Sequence, residues 1–83
     1  MSMTITLRLF SIAGDLAGFR EKTLELPSGS RAVDVLEQLN SQNPKFADWR
    51  GSLRLAVNQE YVSGDSPLHE GDEVAVIPPV SGG

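Results

Sequence analysis

The chain contains no cysteine. That excludes disulfides, thiolate zinc sites, iron–sulfur clusters and cysteine nucleophiles together, and leaves the redox compartment open. Histidine is nearly as scarce: His69 stands alone, and a lone imidazole cannot hold a metal. No apolar run approaches the roughly 20 residues of a spanning helix. The opening MSMTITLRLF lacks the charged n-region and cleavage site of a signal peptide, so no membrane partner and a cytoplasmic location are expected. A basic block is also missing. The formal net charge is −4, which repels a phosphate backbone and argues against a nucleic-acid partner. What remains is a chain of 83 residues, 40% of them hydrophobic, enough for one domain with one modest core.

Hydrophobic spacing supplies the elements. TITLRLF at 4–10 alternates, with Ile5, Leu7 and Leu9 on one face and Thr4, Thr6, Arg8 and Phe10 on the other, as a half-buried strand does. SIAGDLAG reads as a turn or one helical turn. It leads into a second strand in FREKTLEL, where Phe19, Lys22, Leu24 and Leu26 suggest a strand of less regular alternation, ended by Pro27 and Ser28-Gly29. The clearest helix follows, with Ser30 as candidate N-cap, Asp34 in the first turn, and Ala32, Val35, Leu36 and Leu39 on one stripe. Asn43-Pro44 stops it. A short helical turn at 44–50 lays Phe46 and Trp49 on the core. LRLAV at 53–57 alternates with Leu53, Leu55 and Val57 inward; a tight Asn58-Gln59 connection leads to EYV, and EVAVI at 73–77 is the last strand. The fold class is α+β: a mixed four- to five-stranded sheet covered by one main helix plus short helical turns.

Catalytic groupings are sparse. His69 lies in a polar turn beside Glu70 and Asp72, and no serine sits in an elbow motif from which it could attack with His69 as base. Asp65, Glu70, Asp72 and Glu73 cluster near turns, but Pro67 and Leu68 interrupt them, so a solvated turn is the better reading than a cation loop. The chain is expected to have no catalytic centre of its own. A stand-alone hydrolase is the weakest reading, and His69→Ala tests it. The outward faces are more informative. If Leu9 and Val76 point inward, Phe10 and Ile77 point out, and Tyr61 does so if Val62 packs inward. Three large apolar groups then form a partner site on the surface, or are covered by the 11–18 or 44–50 segment in a second small core.

The chain ends PPVSGG. Pro78-Pro79 ends the ladder and directs the chain outward as a stiff polyproline segment, from which residues 80–83 reach about 13 Å at roughly 3.3 Å each. A tip without Cβ enters a channel too narrow for other residues. It carries the α-carboxylate of Gly83, with a reference pKa of about 3.5, ionised at neutral pH and unreactive to nucleophiles until a partner activates it.

AVNQEYVSGDSPLHEGDEVAVIPPVSGG, with its VNQ, L-x-x-GDEVA and PPV-x-GG pieces, resembles the C-terminal half of the small, sulfur-carrying subunits of molybdopterin synthase, which are ubiquitin-like β-grasp proteins. LRLFSIAGDLAG is similar to that family's opening strand and turn, although Ser11, Ile12 and Gly14 stand where members often carry alanine and a charged pair. The resemblance implies a β-grasp domain at 1–79 and a flexible tail at 80–83. It implies that an E1-like adenylating enzyme, using ATP, couples the Gly83 carboxylate to AMP. A sulfur donor system then converts it to a thiocarboxylate, and the tail enters the large subunit to give sulfur to cyclic pyranopterin monophosphate. Gly83 is then the acceptor and Gly82 the threading tip; Phe10, Tyr61, Ile77, Pro78, Pro79, Val80 and Ser81 are partner-binding. No cofactor is bound by the chain itself. The family's usual assembly is a two-plus-two heterotetramer. Carriers for thiazole synthesis or transfer-RNA thiolation share the fold and the Gly-Gly end, and a non-carrying ubiquitin-like interaction module is the alternative of another class. Deletion of Gly83 separates the last from a carrier, since only an adaptor survives it.

Overall fold

The structure is a computed structural model that describes residues 1–48 and 52–78. Strands β1 (Ser2–Leu9), β2 (Glu21–Pro27), β3 (Arg54–Val57), β4 (Glu60–Val62) and β5 (Glu73–Ile77) form one mixed sheet in the order β2-β1-β5-β3-β4. β1 and β5 run parallel at its centre, Leu7 opposite Val74 and Leu9 opposite Val76, and the other pairs are antiparallel. Helix α2 (Ala32–Gln42) packs its Ala32, Val35, Leu36 and Leu39 stripe on one face. This is the β-grasp arrangement. No helix among the described residues is long and apolar enough to cross a membrane.

Alternation governs the central strands: β1 buries Met3, Ile5, Leu7 and Leu9 and turns the residues between them outward. Ile5, Leu7, Val35, Val74 and Val76 are fully buried together with Phe46. Each such side chain contributes about 1.5–3 kcal/mol relative to exposure, which outweighs the fraction of a kcal/mol an exposed ion pair gives. The core is therefore what holds the sheet to α2.

Several expected details shift. SIAGDLAG forms a six-residue helix α1 (Ile12–Ala17) that buries Ala13 in the main core. Phe19 packs against that core ahead of β2, and Lys22 stays exposed. Of the expected 44–50 turn, Pro44–Asp48 is a 3-10 helix that inserts Phe46, while Trp49 lies outside the described residues. Asn43 does more than stop α2: its side-chain amide donates to the Leu16 carbonyl, and its Oδ1 accepts from the Lys45 N–H at 3.2 Å. It thereby ties the end of α1 to the start of the 3-10 helix.

Ser30 is not the N-cap; Arg31 is. The Ser30 hydroxyl donates to the Pro27 carbonyl at 2.7 Å, and the first N–H groups of α2 find other acceptors. Ala32 and Val33 donate to the carbonyls of Ser66 and Gly64, each at 2.9 Å, and the Asp34 carboxylate accepts from the Arg31 N–H at 2.7 Å. Carbonyls from a distant loop thus satisfy donors that a local hydroxyl usually serves. That loop is no free turn. Leu68 plugs the core, and Gly64 lies so close to α2 that a Cβ there would stand 3.0 Å from the Cβ of Val33.

Candidate functional site

The face of the sheet turned away from α2 carries the surface of interest. Strand register lays out a row across it: Glu21, Arg8, Ala75, Ala56 and Tyr61, one residue from each strand. The neighbouring row holds Phe10, whose N–H still donates to the Val76 carbonyl at 3.2 Å just past β1, then Ile77 and its β3 partner Arg54. At the middle of the first row the side chains are small. Ala56 and Ala75 floor a depression of ≈ 240 Å³ walled by Phe10, Ile77 and Tyr61, with Arg8, Glu73 and Gln59 on its rim.

The three residues expected to point outward therefore share one hollow. Tyr61 is 67% exposed and Phe10 44%, and Ile77 is half-buried. Among the described residues neither segment expected as a cover lies over them: α1 and the Pro44–Asp48 helix contribute Ala13 and Phe46 to the core on the other side, and 49–50 lie outside the described residues. The exposed aromatics are held by cations. The Arg8 guanidinium sits 6.0 Å from the Phe10 ring centre and that of Arg54 sits 5.9 Å from the Tyr61 ring centre. Arg8 is fixed in turn by Glu21 at 3.3 Å and Glu73 at 3.6 Å.

The inward-outward count had placed Leu53 and Val57 inward, and both are half-buried. It missed Ala56 and Ala75 as the floor, although their outward parity in LRLAV and EVAVI was the available signal. Pro78, expected to be partner-binding, is buried directly after Ile77 rather than exposed on the open surface. Pro79, Val80, Ser81, Gly82 and Gly83 lie outside the described residues.

The polar turn near His69 serves structure. His69 donates its backbone N–H to Asp72 Oδ2 at 2.8 Å, and its exposed imidazole is 3.9 Å from the same carboxylate. Asp72 Oδ1 accepts from the Asn58 amide at 3.0 Å, while Asn58 Oδ1 accepts from the Glu73 N–H at 3.0 Å. Glu70 accepts from the Thr4 N–H at 3.0 Å and Gly71 donates to the Thr4 carbonyl at 2.8 Å. The carboxylates are thus spread along a loop zipped to β1. Among the described residues no group of His, Asp and Glu is placed to hold a metal ion.

Comparison with known proteins gives this surface a context. The chain is 38% identical over 82 residues to the molybdopterin synthase sulfur carrier subunit of Arabidopsis thaliana, covering 99% of this chain and 85% of that one. Residues 7–83, which include the terminal Gly82-Gly83, match the ThiS family. The chain belongs to the ThiS family. Among solved structures, this ThiS-family chain resembles a Pyrococcus furiosus chain provisionally described as molybdopterin converting factor, subunit 1. The identity is 35%, the TM-score 0.83, and the match covers 94% of this chain and 99% of that one. A chain in a complex of subunits 1 and 2 of the Helicobacter pylori molybdopterin-converting factor shares the fold at a TM-score of 0.65 and 21% identity, covering 98% and 100%.

Proposed function

We propose that this chain is the sulfur-carrier subunit of a molybdopterin synthase and that the atom it loads is on the Gly83 carboxylate. The observation that carries the reading is the near end-to-end likeness to a molybdopterin synthase sulfur carrier subunit, together with a family match that runs through Gly83. A carrier for thiazole synthesis or transfer-RNA thiolation fits the fold equally, but the identity favours the pterin.

The chemistry follows from what a carboxylate lacks. It resists nucleophiles because its negative charge is delocalised over both oxygens. An E1-like activating enzyme spends ATP to join it to AMP with release of pyrophosphate; sulfur from a donor then displaces AMP and leaves a thiocarboxylate. In the large subunit that sulfur passes to cyclic pyranopterin monophosphate and the terminus returns to a carboxylate. A dithiolene holds two sulfurs, so two loaded tails discharge for each pterin. The carrier itself binds no cofactor. It supplies a body at 1–79 that docks and a tail at 80–83 that threads, with Gly82 and Gly83 slim enough for a narrow channel.

The hollow between Phe10, Ile77 and Tyr61 supports a docking role, being the apolar part of a strand face that no element among the described residues covers. Ile77 and Pro78 lie at the root of the tail, so a partner seated on the hollow also meets Pro79, Val80 and Ser81. The large subunit and the activating enzyme are the partners of this reading, in the two-plus-two assembly usual for the family, and the cytoplasm is its setting.

The test is a tryptophan appended after Gly83. The extended chain is expected to bind the large subunit and to support no pterin thiolation. Thiolation by the extended chain, with intact mass showing it unprocessed, overturns the proposal.

A further inference from the structure

Among the described residues Arg8 and Arg54 stand on the open face, and their surroundings differ. Arg8 is neutralised by two carboxylates. Arg54 is exposed and meets no carboxylate among the described residues, and its guanidinium lies over the Tyr61 ring. Its place is also distinctive. Arg54 is the β3 partner of Ile77, the last strand residue before the chain leaves at Pro78. Tyr61 is the wall between the Phe10–Ile77 hollow and a second hollow of ≈ 280 Å³, which Arg54 lines with Val33, Leu53 and Val62 between α2 and β3–β4.

We infer that Arg54, stacked on Tyr61 at the root of the tail, is a specificity-determining residue that admits partners presenting a carboxylate there and an apolar group against Tyr61. The inference rests on the sulfur-carrier reading, because only a partner that encloses the tail is obliged to cover Arg54. Covering it without an opposite charge leaves a desolvated cation unpaired, which costs more than the apolar contact returns. A stacked guanidinium keeps its edge donors for a bidentate carboxylate. The chain's net charge of −4 favours partner surfaces that are basic overall. A single acid facing Arg54 is therefore a local exception that fixes register and rejects partners carrying lysine or arginine at that spot.

The experiment uses the full chain and the purified large subunit of its own organism, in binding and sulfur-transfer assays at low and high salt. Arg54→Gln is expected to weaken association by roughly ten- to a hundredfold, Arg54→Glu by more, and both to reduce its salt dependence. Arg54→Lys recovers only part, lacking the fork. In transfer assays the loss falls on the carrier concentration giving half-maximal rate, with turnover at saturation unchanged. Arg54 is exposed, so unfolding midpoints stay at the wild-type value, and a merely structural role would move them. Binding by Arg54→Gln and Arg54→Glu within about twofold of wild type at both salts overturns the inference, since that is below the loss expected of a buried, hydrogen-bonded charge pair. The carrier reading stands in that case if the wild type transfers sulfur. A wild-type chain that neither binds nor transfers overturns both.

Discussion

On the helix side of the sheet, Leu7, Val74 and Val76 are fully buried; on the open side, the residues alternating with them, Arg8, Glu73, Ala75 and Ile77, line a surface hollow. The same strands thus present two surfaces with different obligations. The first must be filled without gaps because every methyl group there is sealed from water. The second keeps small residues at its middle and large ones at its edge, which leaves room for something from outside. In the function proposed above, stability belongs to the first face and recognition to the second.

Matched truncations are the strongest way to break that contrast. Leu7→Ala is expected to cost about 2–5 kcal/mol in urea unfolding. Ile77→Ala, at a half-buried position, is expected to cost about 1 kcal/mol or less while weakening association with the large subunit. Equal costs would make the open face a second core and remove the contrast. A middle-sized effect probes the loop that caps α2. Gly64→Ala sets a methyl group 3.0 Å from the Val33 Cβ, and a loss of about 1–3 kcal/mol is expected as the loop moves off the helix. No loss would show that the carbonyls of Gly64 and Ser66 are not what holds that helix end. The smallest effect lies at the β3–β4 turn, where Gln59 sits at φ 72. Gln59→Gly is expected to gain up to about 1 kcal/mol by relieving a left-handed side-chain residue, and a loss would mean that the Gln59 side chain supports the hollow.

The strands and α2 were legible because burial on one face imposes a period of two or of about 3.6 on the sequence, and Ile5, Leu7, Val35 and Leu39 keep it. Phe10, Ile77 and Tyr61 could be assigned outward by parity alone. That they enclose one hollow could not, because it depends on β5 lying between β1 and β3, a non-local pairing that no spacing encodes. The start of α2 was misread for a similar reason: Ser30 looks like a cap locally, but Ser66 and Gly64, more than thirty positions along, provide the acceptors. Leu68 was hidden among turn formers, since a single buried leucine in a loop has no period. The tail beyond Pro78 lies outside the described residues; its expected direction and slimness rest on Pro-Pro and Gly-Gly as residue types, and its proposed role on the family likeness.

The central claim is that the Gly83 carbonyl is a chemical handle. Its most direct test is the intact mass of the wild-type chain after incubation with ATP, the activating enzyme and a sulfur donor. The account predicts a gain equal to one oxygen exchanged for one sulfur, located in the C-terminal peptide and absent without ATP. An unchanged mass, with the same enzyme and donor loading a control carrier in parallel, contradicts it.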